Sequence, residues 1–206
     1  MTAADGWRIL LPPGWATLPT DPVQGPRAVS RLLDHALRGK PRDELIAFRI
    51  QLDRALREQL ARAAKSGAKH VHALVEPIKG VPVSASVVTR HVPTQDRDKL
   101  APVLNAMFGE GEGVVENGYA DLADRGALRR VRRWDASDQV PGSGPKTATS
   151  VDYVVPLDEA GVLVMAFSTV TEQVHRELVV LFDAIATTLH RVSGQGAAAQ
   201  ETDPDS

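Results

Sequence analysis

Hydrophobic and polar positions change their period several times along this chain, and the changes outline its elements. Trp7 to Leu11 reads as a short strand, broken by the Pro12-Pro13-Gly14 turn. Trp15 to Leu18 is a second extended piece, closed by Pro19-Thr20-Asp21-Pro22. From Arg27 to Leu37 the spacing turns helical, with Val29, Leu32, Leu33, Ala36 and Leu37 on one face and Gly39 as the stop. Pro41 suits the first turn of a longer helix reaching about Ser66, ended by Gly67. Its apolar stripe is Leu45, Phe48, Leu52, Leu56, Leu60 and Ala63; Asp53/Arg57 and Glu58/Arg62 stand one turn apart on its polar side. A long helical segment is therefore expected near the N-terminus.

The middle of the chain alternates instead. Lys69 to Pro77 places Val71, Ala73 and Val75 on one side and His70, His72 and Leu74 on the other. Val81 to Val92 is a second β-rich run, and Gly80 with Pro82 supports a hairpin between the two. Thr94 to Phe108 reads as a helix that Pro102 kinks or delays. Three or four strands are expected next, over about Gly113 to Tyr119, Ala127 to Trp134, Thr149 to Val155 and Val162 to Ser168. The unbroken apolar run Val162 to Phe167 fits a central strand covered on both faces. Thr169-Val170-Thr171-Glu172 has the form of a capping box for a last helix with Val174, Leu178, Leu181, Phe182, Ile185 and Leu189 inward. Strands arriving in consecutive pairs favour an antiparallel sheet, so the fold class is α+β, an α/β/α sandwich with helices packed on the sheet. Residues 1–192 form one such domain, and 193–206 an acidic, disordered tail.

Composition narrows the chemistry. A chain of 206 residues with 43% apolar content can bury a core without a metal or disulfide staple. Cysteine is absent, which removes thiolate nucleophiles, disulfides and cysteine-based zinc sites and fits the cytoplasm. The first residues lack a signal-like apolar stretch, and no run approaches the length of a membrane span. A formal charge of −2 gives no general attraction to nucleic acid or anionic lipid. The excess of arginine over lysine reads as coding bias of a GC-rich, bacterial genome.

Candidate sites are few. Arg125, Arg129, Arg130, Arg132 and Arg133 make Ala127 to Trp134 the most basic segment; alternation sends Arg130 and Arg132 one way, Arg129 and Arg133 the other. Charge on both faces is poor for nucleic acid, which wants a single basic stripe with several stacking aromatics. His70 and His72 share a strand face and His91 lies on the neighbouring run, but no carboxylate or cysteine pattern completes a metal site. Gly109-Glu110-Gly111-Glu112-Gly113 follows a helix and opens a strand, the reverse of a dinucleotide fingerprint. Gly144-Pro145-Lys146-Thr147 lacks the leading glycine of a phosphate loop and reads as part of a mobile loop, Asp135 to Lys146. No cofactor is implied.

Trp7-Arg8-Ile9-Leu10-Leu11-Pro12-Pro13-Gly14-Trp15, with Leu18-Pro19 after it, resembles the strand and Pro-x-Gly-Trp opening of PsbP-like proteins. The closing strands Thr149 to Val155 and Val162 to Ser168, then the helix to His190 with Ser168-Thr169 at the junction, are similar to that group too. The resemblance implies an α/β/α sandwich that binds proteins and shares no catalytic residues. The expectation is a non-enzymatic, protein-binding accessory or chaperone-like adaptor. Its partner would be another protein, met through Arg49, Arg57, Arg130, Arg132 and Trp134 or the Asp135–Lys146 loop. The alternatives are a small-molecule domain with a pocket near Trp7, Trp15 and Met165, a hydrolase using His70, His72 or His91, and a homodimer formed through the long helix.

Overall fold

An apolar strand that is covered on both faces demands a layer on each side of its sheet, and this chain is built to that requirement. The computed structural model describes residues 2–4, 6–36, 42–76, 78, 83–93, 104, 111–137, 146–157 and 161–192. Seven strands form the main sheet: β3 (Trp15–Pro19), β4 (His70–Leu74), β5 (Ser86–Val92), β6 (Val114–Leu122), β7 (Arg125–Asp135), β8 (Thr147–Pro156) and β9 (Val162–Thr169). Their spatial order is β3-β4-β5-β9-β8-β7-β6, and the neighbours pair antiparallel throughout. The run singled out as a central strand, now β9, does occupy the middle of the sheet.

Alternation divides the side chains into two cores. Val151, Tyr153 and Val155 of β8, with Leu163, Met165 and Phe167 of β9, face α3 (His175–Thr187), whose Leu178, Phe182, Ile185 and Ala186 complete the larger core. The Phe167 and Phe182 rings stack at 5.1 Å between centroids, and the Tyr153 ring meets Phe167 edge-on. On the opposite face, α1 (Gln24–Ala36) and α2 (Arg42–Lys65) cover β3, β4 and β5 through Val29, Leu33, Leu60, Ala63, Leu18 and Val71. Further along that face Val92, Val154 and Val164 pack together with Leu104. Of the helix expected over residues 94–108, Leu104 alone is described. The chain is thus α+β, with helices on both faces of an antiparallel sheet.

Several boundaries differ from the sequence reading for physical reasons. The helix nearest the N-terminus is the short α1, while the 24-residue helix is α2, beginning only at Arg42; the long helix is not the N-terminal one. α1 begins at Gln24 rather than Arg27 because the Asp21 carboxylate accepts the Val23 and Gln24 amides at 2.9 and 2.8 Å. Pro26 then falls in the first turn, where no donor is missed. The expected capping box does not form. Glu172 is drawn sideways to Arg133, Thr169 Oγ1 accepts the Thr171 amide, and a 3-10 turn (Glu172–Val174) precedes α3.

In a second sheet the sequence reading found one strand, within the expected Trp7 to Leu11, while its two partners of three and two residues carry no period. β2 (Trp7–Ile9) pairs antiparallel with β1 (Thr2–Ala4) on one side and β10 (His190–Arg191) on the other. Trp7 and Ile9 are buried in the α3-side core. The tail expected at residues 193–206 lies outside the described residues.

The β6–β7 hairpin turns on Ala123 and Asp124, with φ of 53 and 61°. Both are left-handed, the geometry of a type I′ turn, which disfavours alanine by about 1 kcal/mol. Ala123→Asn combined with Asp124→Gly is expected to raise the melting temperature by about 2–4 °C, read by thermal circular dichroism.

Candidate functional site

The arginine strand divides its charges as alternation requires. On the α3 side, Arg129 donates from Nε and Nη2 to both Asp183 carboxylate oxygens at 2.9 Å and lies 2.7 Å from Glu116. Tyr153 donates its hydroxyl to the same Asp183. Burial works against the Arg129 charge, but its bonds to Asp183, Glu116 and Tyr153 outweigh that and hold its pKa above the ordinary value. Burial, then the Asp183 carboxylate, pushes the Tyr153 phenol up. Arg133 reaches Glu172. These two arginines fasten α3 and its lead-in turn to the sheet.

Arg130, Arg132 and Trp134 stand on the opposite face, around Asp152 of β8. Register places Arg130 across from Asp152, Arg132 across from Ser150 and Trp134 across from Ala148. Arg132 donates from Nε and Nη2 to Asp152 Oδ2 at 3.2 and 3.0 Å, and Arg130 Nη2 lies 3.9 Å from the same oxygen. Arg130 and Asp152 are buried, at 1% and 3% exposure, while the Arg132 guanidinium lies over the Trp134 ring at 5.5 Å. Burial raises the Asp152 pKa against the opposing pull of both arginines, and it lowers that of Arg130. Ser86 and Ser168 share a 2.8 Å hydrogen bond farther along the same face, with Gln59 donating to Ser86. Asp152 was the partner missed in the sequence. An acid set within the apolar stretch 151–155 needs a cation across the ladder, and the arginine strand supplies two.

Arg49 and Arg57 lie elsewhere. α2 packs on β4, four strand spacings from β7, on the order of 19 Å. The five residues expected to meet a partner therefore fall into two groups and do not converge. Arg49 bonds Asp34 of α1 at 2.7 Å, bridging the two helices. Arg57 clasps Asp53 through two nitrogens at 2.6 and 3.0 Å and reaches Ser30 at 3.3 Å. Of the polar pairs expected on α2, Asp53/Arg57 forms; Glu58 instead takes Arg54 at 2.9 Å.

Beside Arg57 the α1–α2 junction opens into a cavity of about 350 Å³, with Pro22, Pro26, Leu60, Ala61 and Ala64 as apolar lining and Thr20 and Asp21 at its edge. Ala61 and Ala64 are exposed, so the cavity is open to solvent. Of the residues named for an alternative pocket, Trp7 and Met165 are core residues at 9% and 0% exposure and Trp15 is half-buried. Successive α2 residues rotate by about 100°, which aligns Ile46, Ile50, Arg57, Ala61 and Ala64 on one side of the helix. Ile46 and Ile50 are 56% and 63% exposed.

The histidines sit on β4 and β5. His70 and His72 stack at 6.2 Å between ring centroids, and His72, fully buried, shares a 3.0 Å hydrogen bond with the Thr17 hydroxyl. His91 pairs in register with Leu163, on the same sheet face. Among the described residues no group of three or more His, Asp or Glu is placed to hold a metal. Of the Asp135–Lys146 loop, residues 138–145 lie outside the description; its base is closed by the Ala136 amide on Lys146 oxygen at 2.7 Å.

Two measurements follow from these contacts. Asp183→Ala strips Arg129 and Tyr153 of their acceptor and is expected to lower stability by about 2 kcal/mol in urea titrations, with Asp183→Asn less costly. Burial, then the neighbouring His70, lowers the His72 pKa to about 4, below its value in the unfolded chain. The unfolded state thus binds the proton first, and stability drains away as pH falls from about 6.5 to about 4, by up to ~1.4 kcal/mol per unit. His72→Gln is expected to flatten that part of the stability–pH curve.

No family model matches the chain, and no curated protein matches it. Among solved structures, it is similar to the cyanobacterial PsbP protein CyanoP from Synechocystis sp. PCC 6803, at 14% identity and a TM-score of 0.43, covering 91% of this chain and 87% of that one. It is also similar to LpqN, described as involved in cell envelope biogenesis of Mycobacterium tuberculosis, at 12% identity and a TM-score of 0.42, covering 91% and 83%. Both likenesses, like the resemblance carried by the two ends of the chain, are of fold alone.

Proposed function

We propose that this protein is a non-catalytic accessory factor or adaptor that binds another protein, and that the outer side of α2 is where it does so. The observation that carries the reading is the continuous strip from Ile46 to Ala64, roughly 27 Å long at the helical rise. It presents two solvent-facing isoleucines, an ion-paired Arg57, and then the open cavity lined by Leu60 and Ala64. An anchoring pocket bordered by satisfied charged groups is the anatomy of a protein interface. A cavity of about 350 Å³ accommodates one large apolar side chain of a partner.

The charged groups support a structural use over a reactive one. Asp152 has its guanidinium partners within 3.0–3.9 Å, Asp183 is engaged by Arg129 and Tyr153, and His72 meets a threonine hydroxyl. Each is engaged by a neighbouring side chain. The second reading, a small apolar ligand in the same cavity, is favoured by its volume alone; the exposed isoleucines beyond it favour a larger partner.

A photo-crosslinking residue at Ala61 is expected to trap one discrete protein in cells, and a probe at exposed Glu177 of α3 is not. Ala64→Trp, which fills the cavity, should abolish the crosslink while leaving the melting temperature within a few degrees. A small molecule copurifying in the cavity, displaced by the same substitution with no protein trapped, would sink the adaptor reading.

A further inference from the structure

The two edges of the main sheet are finished differently. β3 ends in Pro19, which has no amide to offer, and α1 lies against it. β6 carries no proline. Among the described residues it pairs with β7 alone, and it exposes Tyr119 at 84% and Val115 at 60%.

The hairpin turn decides which β6 groups face outward. A two-residue type I′ turn makes Leu122–Arg125 the first hydrogen-bonded pair, so Ala120–Ala127 and Gly118–Arg129 are also bonded pairs. The amides and carbonyls of Asn117, Tyr119 and Asp121 therefore point away from β7.

Among the described residues nothing calls for a glycine at position 118. Its φ is not left-handed, and a Cβ added there would meet nothing within 4 Å. A glycine in a strand interior weakens the strand and commonly marks close approach of another backbone.

We infer that β6 pairs antiparallel with β6 of a second copy, about a two-fold axis at Gly118, joining the two sheets into one. The register is self-complementary. It sets the outward groups of Tyr119 against those of Asn117 in the other copy, and the reverse, so the bonds close on both sides. Gly118 then faces Gly118 at the closest spacing, leaving no side chain between the copies on the side where α3 lies against β6. Glu116, already held by Arg129, falls opposite Ala120, and Asp121 opposite Val115, so no like charges meet. The two Tyr119 rings become diagonal neighbours across the axis, within reach of aromatic contact.

Sedimentation velocity from low micromolar to submillimolar protein should show a concentration-dependent dimer. Tyr119→Pro removes one outward amide per copy at an edge position that tolerates proline, and should weaken the dimer roughly tenfold or more. Ile50→Lys on α2 should leave it unchanged. Amide exchange on the unaltered chain gives a readout free of folding effects: Asn117, Tyr119 and Asp121 should gain protection with concentration, while Gly118 and Ala120 are protected throughout. A monomer at every concentration would overturn the inference. So would a dimer that survives Tyr119→Pro but dissociates with Ile50→Lys.

Discussion

The structure depends on the burial of β8 and β9 from both sides. Residues 148–155 of β8 are buried without interruption, and β9 beside it is nearly so. Two adjacent strands of this kind cannot exist in a sheet with one wet face. α3 must therefore close one side, while α1, α2 and Leu104 pack on the other. The same constraint makes Asp152 the most demanding residue in the chain. Its carboxylate lies in the middle of that buried strip, and the arginines of β7 are what make its position tenable.

Much of this could be read from spacing. The central position of β9 followed from an apolar run with no polar relief, and the division of the arginines followed from strand parity. The inward face of α3 followed from three- and four-residue repeats, with Leu178, Phe182 and Ile185 buried as expected. What failed was local chemistry decided at a distance. Glu172 has the right spacing to cap a helix, yet an arginine on β7 competes for it. The helix expected from Arg27 begins at Gln24 instead, because Asp21 supplies its cap. β1 and β10 are too short to carry any period, and only their pairing to β2 defines them.

The candidate surfaces show the same limit. Arg130, Arg132 and Trp134 share a face because they alternate along one strand. Their association with Arg49 and Arg57 was an inference across elements, and topology separates them by four strand spacings. The α1–α2 cavity left no trace in composition: it is a gap between prolines and alanines, residues whose smallness is visible but whose vacancy is geometric. The exposed isoleucines of α2 do break the amphipathic pattern, and that irregularity was the available signal.

The pairing of β2 with β10 bears on how the molecule is made. Trp7 and Ile9 are synthesised long before α3 and before His190–Arg191, the strand that flanks them on one side. During synthesis those two apolar side chains must wait for α3 and for His190–Arg191 before their core can close. Closure of this core therefore comes late in the order of synthesis, after α3 and β10 have been made, however early the central hairpins zip.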